Sequence, residues 1–384
     1  METPFPFSQY VTGKNFVGRK ADVTLLGNLL AQGEHVALSS PPKSGKTSLV
    51  QQTLFQMRLS GTPFTVGQLS CLNIRSTQDF LLRLGSTIVR MVASTPDEYS
   101  AVVKSFLEGT HFVFDPAAFA EREEVVSLGW ELDGDDIRAM LSFPFRLAKE
   151  RNIRLILIAD AFHCTALMDN PDELLRPLDE SLRHAREVGE RGFSYLFLGS
   201  GVNAMHQIFA GSRLFSQDVE RMSLSPIPDA EMAAHVIKGF LSSGKVMDLK
   251  LMEGACRLFD GHPWYINHFA AICDSMTRGF IPEAVLIDAL DCLVSVHEPR
   301  FARMMASLTT HQVNMLRATL EGVTRFSSAE VIRRYDLHSS ANVKRVKDAL
   351  MKKEILSFER EEAPRILDPL FAYWVKKYYY EITA

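Results

Sequence analysis

Three side chains in this sequence have the types and the order that suit a phosphate group and a divalent cation. Lys46 and Thr47 follow Gly45 and complete the pattern GxxxxGK[ST], with Ser40 in place of its first glycine. In this pattern the ammonium group neutralises the terminal phosphates, and the hydroxyl group binds Mg²⁺. The carboxylate of Asp160 ends the apolar run RLILIAD and is the expected second metal ligand. Together these residues predict a site for a nucleoside triphosphate and magnesium.

The loop that carries Lys46 lies between a predicted strand and a predicted helix. HVALSS is an apolar run after Gly33, and the sequence from Thr47 to Leu59 is typical of a helix. Backbone N–H groups and the positive end of this helix would hold the phosphates. The loop residues expected to contact the nucleotide are Pro42, Lys43, Ser44, Gly45, Lys46, Thr47 and Ser48.

The elements around this loop predict an α/β fold with a parallel sheet flanked by helices. Apolar runs (HVALSS, PFTVGQLSCLNI, RLILIAD and FSYLFLGS) alternate with helical patterns, which indicates at least four parallel strands. Ser76 is expected to cap a helix. Residues 96 to 133 are less regular: EYSAVVKSFLEG looks helical, while FVF and EVVSLGWEL suggest strands of an insertion with no assigned place.

The remainder of the chain predicts two further domains. From about residue 228 strands vanish, and three successive helices predict an all-helical lid domain. Three more helices, followed by the possible hairpin ILSFEREEAPRILD, form a winged-helix pattern. The expected domains are a nucleotide-binding domain at 1–227, a lid domain at 228–300 and a winged-helix domain at 301–384.

Composition excludes several classes of protein. The 384 residues are 46% hydrophobic and 23% charged, which is typical of a globular chain with more than one core. A net charge of -4 argues against a protein that coats nucleic acid or an anionic membrane through its overall field. The sequence shows neither a secretion leader nor a long apolar run, so we expect a cytoplasmic protein that does not contact membranes.

The motifs, in this order, resemble those of the STAND-type P-loop ATPases related to AAA+ proteins, especially the prokaryotic group described as archaeal-type ATPases. The resemblance covers nearly the whole chain and begins at Phe16–Arg19, which looks like the F-V/I-G-R opening of the family. It implies that Val17, Gly18 and Arg19 lie beside the adenine and the ribose of bound ATP or ADP.

Three later segments extend the resemblance. Gly199 and Ser200 end a strand that looks like the family's sensor strand, which implies that Ser200 faces the γ-phosphate as a catalytic residue beside Asp160. Gly-His-Pro, which ends at Pro263, is similar to the family's Gly-x-Pro motif, and this implies that the proline packs near the base. Asp368–Trp374 resembles the D-P-L-F-x-x-W segment that follows the family's winged helix.

Departures from the family pattern predict slow or absent hydrolysis. Ala161 follows Asp160, where many such ATPases have a glutamate that polarises the attacking water. Ser40 replaces a loop glycine, and Ser216 and Gln217 stand where the family often has Gly-Arg. His163 is the nearest titratable side chain that could substitute, although a loop histidine without a catalytic role is the more ordinary interpretation.

Three functions fit these observations. The favoured one is a STAND-like molecular switch that binds ATP or ADP and couples its nucleotide state to a winged-helix module that binds another protein. A DNA-binding transcription factor is an alternative, because the third winged-helix helix contains Lys344, Arg345 and Lys347. A small-molecule kinase would need a cluster of basic substrate-binding residues, which the sequence does not show. The predicted wing carries acidic side chains that disfavour DNA: Glu359, Glu361 and Glu362.

Overall fold

The apolar runs of the amino-terminal half are parallel β-strands in this computed structural model, which describes residues 4–121, 124–211, 214–358 and 364–381. The strands of this half are β1 (His35–Ser39), β2 (Thr65–Ser70), β3 (Phe112–Phe114), β4 (Val126–Leu128), β5 (Leu155–Asp160), β6 (Phe193–Gly199) and β7 (Val219–Ser223). Within the described ranges, five of them form one parallel sheet in the order β2-β5-β6-β1-β7. The predicted α/β fold is therefore confirmed.

Burial on both faces explains why the central strands are continuous apolar runs. Every residue of β6 is buried, and so is every residue of β5 except Asp160 at its end. A strand that is covered by helices on both faces has no solvent side, so its sequence does not alternate. The exception at Asp160 marks the carboxyl edge of the sheet, where parallel strands present ligand-binding residues.

The fifth strand, β7, was not predicted. Its sequence, VERMS, has only Val219 and Met222 buried, with charged residues between them. It pairs with β1 on one side and lies at the end of the strand order, so it is an edge strand. Edge strands are shorter and more polar than central ones, which removes the apolar signal.

Helices connect the strands of this half. They are α1 (Lys20–Gln32), α2 (Lys46–Leu59), α3 (Thr77–Val92), α4 (Pro96–Phe106), α5 (Pro116–Glu121), α6 (Gly134–Arg151), α7 (Asp172–Glu187) and α8 (Val202–Phe209). The expected cap is confirmed: the Ser76 side chain accepts from Asp79 N–H, and the Asp79 side chain accepts from the Ser76 backbone. This capping box satisfies two backbone N–H groups that the first turn leaves unpaired.

The irregular segment at 96–133 has a defined place. The short strands β3 and β4 pair antiparallel, in register from Phe112 with Leu128 to Phe114 with Val126. Tyr99 of α4 stacks on Phe114, with ring centroids 5.8 Å apart. The Ser86 hydroxyl of α3 accepts from Val126 N–H at 3.0 Å. The suspected insertion is therefore a small hairpin that extends the core of the sheet unit.

The chain separates into two compact units. The sheet unit comprises Ala21–Ser40 and Thr53–Leu224, and the helical unit comprises Met1–Lys20, Pro41–Gln52 and Ser225–Ala384. The phosphate-loop segment is thus grouped with the carboxyl-terminal helices. Each unit has its own hydrophobic core, and the core of the helical unit extends from Phe5 through the lid helices to Val375.

Among the described residues, the helical unit contains the three predicted lid helices, the three predicted winged-helix helices, and two helices that were not predicted, Glu283–Ala306 and Pro369–Trp374. Its helices are α9 (Asp229–Ser242), α10 (Leu249–Leu258), α11 (Pro263–Met276), α12 (Glu283–Ala306), α13 (Thr310–Leu320), α14 (Ala329–Arg334), α15 (Ser340–Lys352) and α16 (Pro369–Trp374). Helix α12 continues through residue 300, where the sequence predicts the boundary between the lid domain and the winged-helix domain. The position of that boundary stays a prediction. None of the helices in the described ranges is long and apolar enough to cross a bilayer.

Short strands also occur after residue 228, where the sequence predicts only the hairpin of the winged helix. The pair β8 (Val246–Met247) and β9 (Phe280–Ile281) is parallel, and the pair β10 (Leu356–Ser357) and β11 (Arg365–Ile366) is antiparallel. The first pair corrects the prediction, because two-residue strands are too short to produce a periodic signal. The second pair is the predicted hairpin of the winged helix. The wing residues Glu359, Glu361 and Glu362 lie outside the described residues.

A close contact between the amino-terminal segment and α9 gives a stability prediction. A Cβ atom on Gly239 would overlap the ring of Phe5, which is fully buried against Phe240. On α10, a Cβ atom on Gly254 would meet only the end of Arg257, at 3.9 Å. We expect Gly239→Ala to lower the free energy of unfolding by about 1–3 kcal/mol through overpacking.

The matched change Gly254→Ala should raise stability by about 0.5–1 kcal/mol, because alanine is the better helix former. Denaturant unfolding of both variants measures the difference. Equal effects at the two positions would contradict the described packing of Phe5.

Candidate functional site

The carboxyl edge of the sheet brings together the residues that the sequence placed at strand ends. Strand β5 ends at Asp160 beside β6, and β6 ends at Gly199 paired with Ser39 of β1. The N–H group of Ser40 continues this pairing by donating to Gly199 O at 3.4 Å. Asp160 and Ser200 therefore lie at the same edge of the sheet unit, as a sensor strand and a metal-binding strand require.

Ala161 turns the chain sharply after Asp160. It has a φ of 55°, in the left-handed region, and its N–H group donates to Asp160 Oδ1 at 2.8 Å. This bond fixes the carboxylate at the strand end. Ala161 has no group that could orient a water molecule, so this position supplies no carboxylate for hydrolysis.

His163 contacts the strand end that carries Ser200. Its Nδ1 atom accepts from the Ser200 N–H group at 3.4 Å, and its Nε2 atom lies 3.8 Å from Cys164 Sγ. A neutral imidazole whose Nδ1 accepts a hydrogen bond carries its proton on Nε2. In this arrangement the lone pair of His163 Nδ1 is engaged by the Ser200 N–H group, and Nε2 carries the proton, so the imidazole is not poised to act as a general base.

The phosphate loop is held by hydrogen bonds that converge on its own carbonyl groups. Lys46 Nζ donates to Pro41 O at 2.9 Å, and Ser44 Oγ donates to the same atom at 2.6 Å. Gly45 has a φ of 103°, a conformation that side chains with a Cβ rarely adopt. Pro41 and Pro42 have no N–H group to offer a phosphate, so donors must come from the residues after them.

Arg19 ties the F-V-G-R motif to this loop. Gly18 and Arg19 both have left-handed backbones, with φ of 65° and 55°, and this turn directs the guanidinium group toward the loop. Arg19 Nη1 donates to Ser44 O at 2.7 Å, and Arg19 Nε donates to Ser225 O at 2.8 Å. The sequence alone could not separate this role from that of a solvated charge.

The Gly-His-Pro motif forms the start of α11 and contacts the loop. Gly261 has a φ of 63°, and Pro263 occupies the first helical position, where a missing N–H group costs nothing. A Cβ atom on Gly45 would lie 3.8 Å from Pro263 Cγ. His262 Nε2 lies 3.1 Å from Pro42 O, and it must donate, because a carbonyl oxygen only accepts.

Lys43 and Trp264 make a further contact between the loop and α11. The Lys43 ammonium group lies 3.5 Å from the centre of the Trp264 ring, a cation–π geometry. Burial lowers the pKa of Lys43, and the charge of Arg300 lowers it further. The same helix turn therefore contacts the loop at three successive residues: His262, Pro263 and Trp264.

A cavity of about 80 Å³ lies in the helical unit where these motifs meet. We call it the base cavity, and its lining residues are Pro6, Phe7, Gln9, Val11, Asn15, Phe16, Val17, Arg19, Lys43, Gly45, Ser48, Ile227, Met232, Pro263, Trp264 and Asn267. One water position needs about 10–15 Å³ on this measure, so the cavity has room for several waters or one flat ring. Two motifs near the amino terminus and a third that follows them by more than 200 residues thus share one wall.

The amino-terminal segment is a part of the site that sequence reasoning missed. Val11 N–H donates to Ser48 Oγ at 3.1 Å, and Gly13 N–H donates to Gln52 Oε1 at 2.7 Å. Phe7 stacks on His268 with ring centroids 4.3 Å apart. This segment has no periodic pattern, so no sequence signal could have assigned it. Asn267, by contrast, follows Pro263 by four positions, which is a signal for one helix face.

The predicted site residues therefore form two groups. Asp160 and Ser200 lie in the sheet unit. Val17, Arg19, Lys43, Gly45, Ser48 and Pro263 line the base cavity of the helical unit. Thr47 is exposed at the start of α2, as a metal-binding hydroxyl needs to be, and Pro42 is exposed on the loop. Gly18 forms part of the left-handed turn before Arg19, and Ser44 makes hydrogen bonds within the loop and with Arg19. Their roles in binding remain predictions.

Comparison with known proteins supports the fold. A family described as "Probable winged helix domain" matches residues 299–377. The Walker-type ATPase paby2304 of Pyrococcus abyssi superimposes with a TM-score of 0.65 at 15% identity, over 97% of this chain and 99% of that one. The ORC2 protein of Aeropyrum pernix in its ADP form superimposes with a TM-score of 0.51 at 15% identity, over 90% and 89% of the two chains. No curated protein sequence matches. The chain thus has the P-loop ATPase fold followed by a winged helix.

The contact between His262 and the loop predicts a pH dependence of stability. Burial lowers the pKa of His262 to about 4; the hydrogen bond with Pro42 O and the charge of Asp368 oppose this lowering, and the charges of Arg19 and Lys46 add to it. The unfolded chain takes up a proton near pH 6.5 and the folded chain does not, so His262 should destabilise the fold progressively as the pH falls from about 6.5 to about 4.

His262→Gln keeps a donor for Pro42 O without titrating in this range. The unfolding free energy of the variant should therefore fall less than that of the wild type between pH 7 and pH 5. Denaturant unfolding at both pH values measures this difference, and parallel pH profiles would contradict the described environment of His262.

Proposed function

We propose that this protein is a STAND-like molecular switch that binds ATP or ADP with Mg²⁺. The observation that carries the proposal is the base cavity, whose walls combine the F-V-G-R motif, the phosphate loop and the Gly-His-Pro motif through Arg19, Gly45 and Pro263. A cavity lined by apolar groups beside a glycine-bearing loop at a helix start suits a base joined to phosphates. One structural neighbour, the Aeropyrum pernix ORC2 protein, is known in an ADP form.

The residues of the loop fit a polyphosphate and its metal. Gly45 leaves no side chain over the loop, and a Cβ atom there would come within 2.8 Å of Arg19 Nη1. Lys46 would neutralise the terminal phosphates, and Thr47 with Asp160 would hold Mg²⁺, which supplies further charge neutralisation. Ser200 would face the γ-phosphate as the sensor. Lys46, Arg19 and Lys43 together give the loop a positive environment.

Contacts within the helical unit provide a route from the loop to the winged helix. Helix α11 contacts the loop through His262, and three residues later the Tyr265 hydroxyl donates to Asp368 at 2.9 Å. Arg300 of α12 donates to the same carboxylate at 2.6 Å. Asp368 caps α16, which lies within the region that the winged-helix family matches. A shift of the loop on nucleotide binding would therefore reach the winged helix through polar contacts.

The winged helix is proposed to bind a partner protein. Its third helix, α15, exposes Lys344 and Arg345, while Lys347 lies over the ring of Phe358 at 4.2 Å. The two exposed cations keep DNA as the alternative partner. The chain's net charge of -4 disfavours a polyanion at long range, so a protein partner is favoured over DNA.

Hydrolysis is proposed to be slow because the chain lacks a residue to activate water at the expected place. Ala161 follows Asp160, and the nearby His163 uses its Nδ1 atom to accept from Ser200 N–H. Binding groups such as Lys46 and Thr47 hold the ligand about equally before and during reaction, and uniform binding does not accelerate chemistry. A positioned general base typically raises the reaction rate by about 10²–10⁴-fold, and this site would lack that contribution.

Replacing Lys46 tests nucleotide binding. Lys46→Ala removes a charge-assisted contact to phosphate and should weaken Mg-ATP binding by about 1.5–3 kcal/mol, while leaving the fold intact. Calorimetry measures the affinity, and Lys104→Ala, at an exposed position on α4 of the sheet unit, is the matched control. If the folded Lys46→Ala protein bound Mg-ATP with unchanged affinity, the assignment of the nucleotide site to this loop would be wrong.

Phosphate release tests the proposal of slow turnover. We expect the wild type to turn over well below about 1 s⁻¹, the low end of ordinary enzymes. Ala161→Glu should raise the rate, because it restores a carboxylate after Asp160, and Lys46→Ala serves as the control for contaminating ATPases. Turnover above about 1 s⁻¹ that disappears in Lys46→Ala would contradict slow hydrolysis.

A further inference from the structure

The base cavity contains an amide side chain with no hydrogen-bond partner among the described residues. Asn267 lies on α11 four positions after Pro263, so the two side chains share one face of the helix. The Oδ1 atom of Asn267 is buried, and no described residue donates to it. A buried acceptor without a donor is unfavourable, so a ligand that supplies a donor would be stabilised at this point.

The surroundings of Asn267 are those of a slot for a flat aromatic ring. Ile227, Met232, Val17 and Trp264 line the same cavity and offer apolar or aromatic surface. The cations in the lining, Arg19 and Lys43, are engaged with the loop carbonyl of Ser44 and with the Trp264 ring. The Asn267 amide is therefore placed beside these apolar groups, where it could distinguish one ring edge from another.

Two other amides line the cavity but are less suited to this role. Gln9 is exposed to solvent, and Asn15 is half-buried. A polar group that water can reach gains little from a ligand, because water already satisfies it. Neither side chain has a buried unpaired oxygen, so Asn267 is the stronger candidate for reading the ligand.

We propose that Asn267 is the base-reading residue of the nucleotide site and that it selects adenine. An asparagine amide pairs with adenine through two bonds, in which Oδ1 accepts from the exocyclic amino group and Nδ2 donates to a neighbouring ring nitrogen. Guanine places a carbonyl oxygen where adenine has this amino group, so the same arrangement would bring two acceptors face to face. This inference rests on the proposed nucleotide-binding function and gives that site its specificity.

The test is a cycle that removes each partner of the proposed bond in turn. Affinities of ADP and of purine riboside 5′-diphosphate, which lacks the amino group, are measured by calorimetry with Mg²⁺ for the wild type and for Asn267→Leu. The wild type should bind ADP about tenfold more tightly than the analogue, and Asn267→Leu should bind both with the same weak affinity. Asn267→Ala repeats the cycle with a smaller side chain in case leucine disturbs the fold.

Two controls make the result specific to Asn267. Asn170→Leu, at an exposed position of the sheet unit, should preserve the tenfold preference. Asn15 lines the same cavity, so Asn15→Leu tests the competing assignment: loss of the preference there, and not in Asn267→Leu, would overturn the assignment to Asn267. Thermal unfolding of each unliganded variant confirms that the proteins compared are folded.

The outcomes separate this inference from the function on which it rests. If the wild type prefers ADP and folded Asn267→Leu or Asn267→Ala keeps the same preference, the base-reading role is wrong and nucleotide binding stands. The role is equally wrong if the wild type binds both ligands with one affinity. If the wild type binds neither ligand, the proposed function fails and the inference fails with it.

Discussion

The geometry of the candidate site depends on how the phosphate loop is held by donors from distant segments. The loop carbonyls of Pro42 and Ser44 accept from His262 and Arg19, and Lys46 closes the loop on Pro41 O. Each of these donors belongs to a sequence motif that predicts nucleotide binding: Arg19 to F-V-G-R, Lys46 to the phosphate loop and His262 to Gly-His-Pro. A loop with two consecutive prolines has few N–H groups of its own, so these contacts determine where the remaining N–H groups lie.

This arrangement gives α11 a double role. Its first turn contacts the loop, and its next residues contact Asp368 through the Tyr265 hydroxyl, while Arg300 holds the same carboxylate from α12. Burial around this turn lowers the pKa of His297 and of His262, each to about 4. The imidazoles of His262, at the start of α11, and of His297, on α12, are therefore neutral near pH 7.

Much of the fold could be predicted because its signals are local. The buried strands β5 and β6 are continuous apolar runs, and Ser76 with Asp79 is a readable capping box. The edge strand β7 and the two-residue strands β8 and β9 gave no period to detect. For the site, motif order pointed to Arg19, Gly45 and Pro263. The segment with Phe7 and Val11 could not be found, because its place depends on tertiary contacts such as the burial of Phe5 under α9.

The central claim is that this chain binds an adenine nucleotide, and the most direct measurement identifies what the protein carries. Wild-type and Lys46→Ala proteins, purified in parallel with Mg-ADP and passed through a desalting column, are denatured, and the released small molecules are identified by mass spectrometry. We expect close to one adenine nucleotide per wild-type chain and much less from Lys46→Ala. Equal release from the two proteins, or no nucleotide from the folded wild type even with ADP supplied, would contradict this claim.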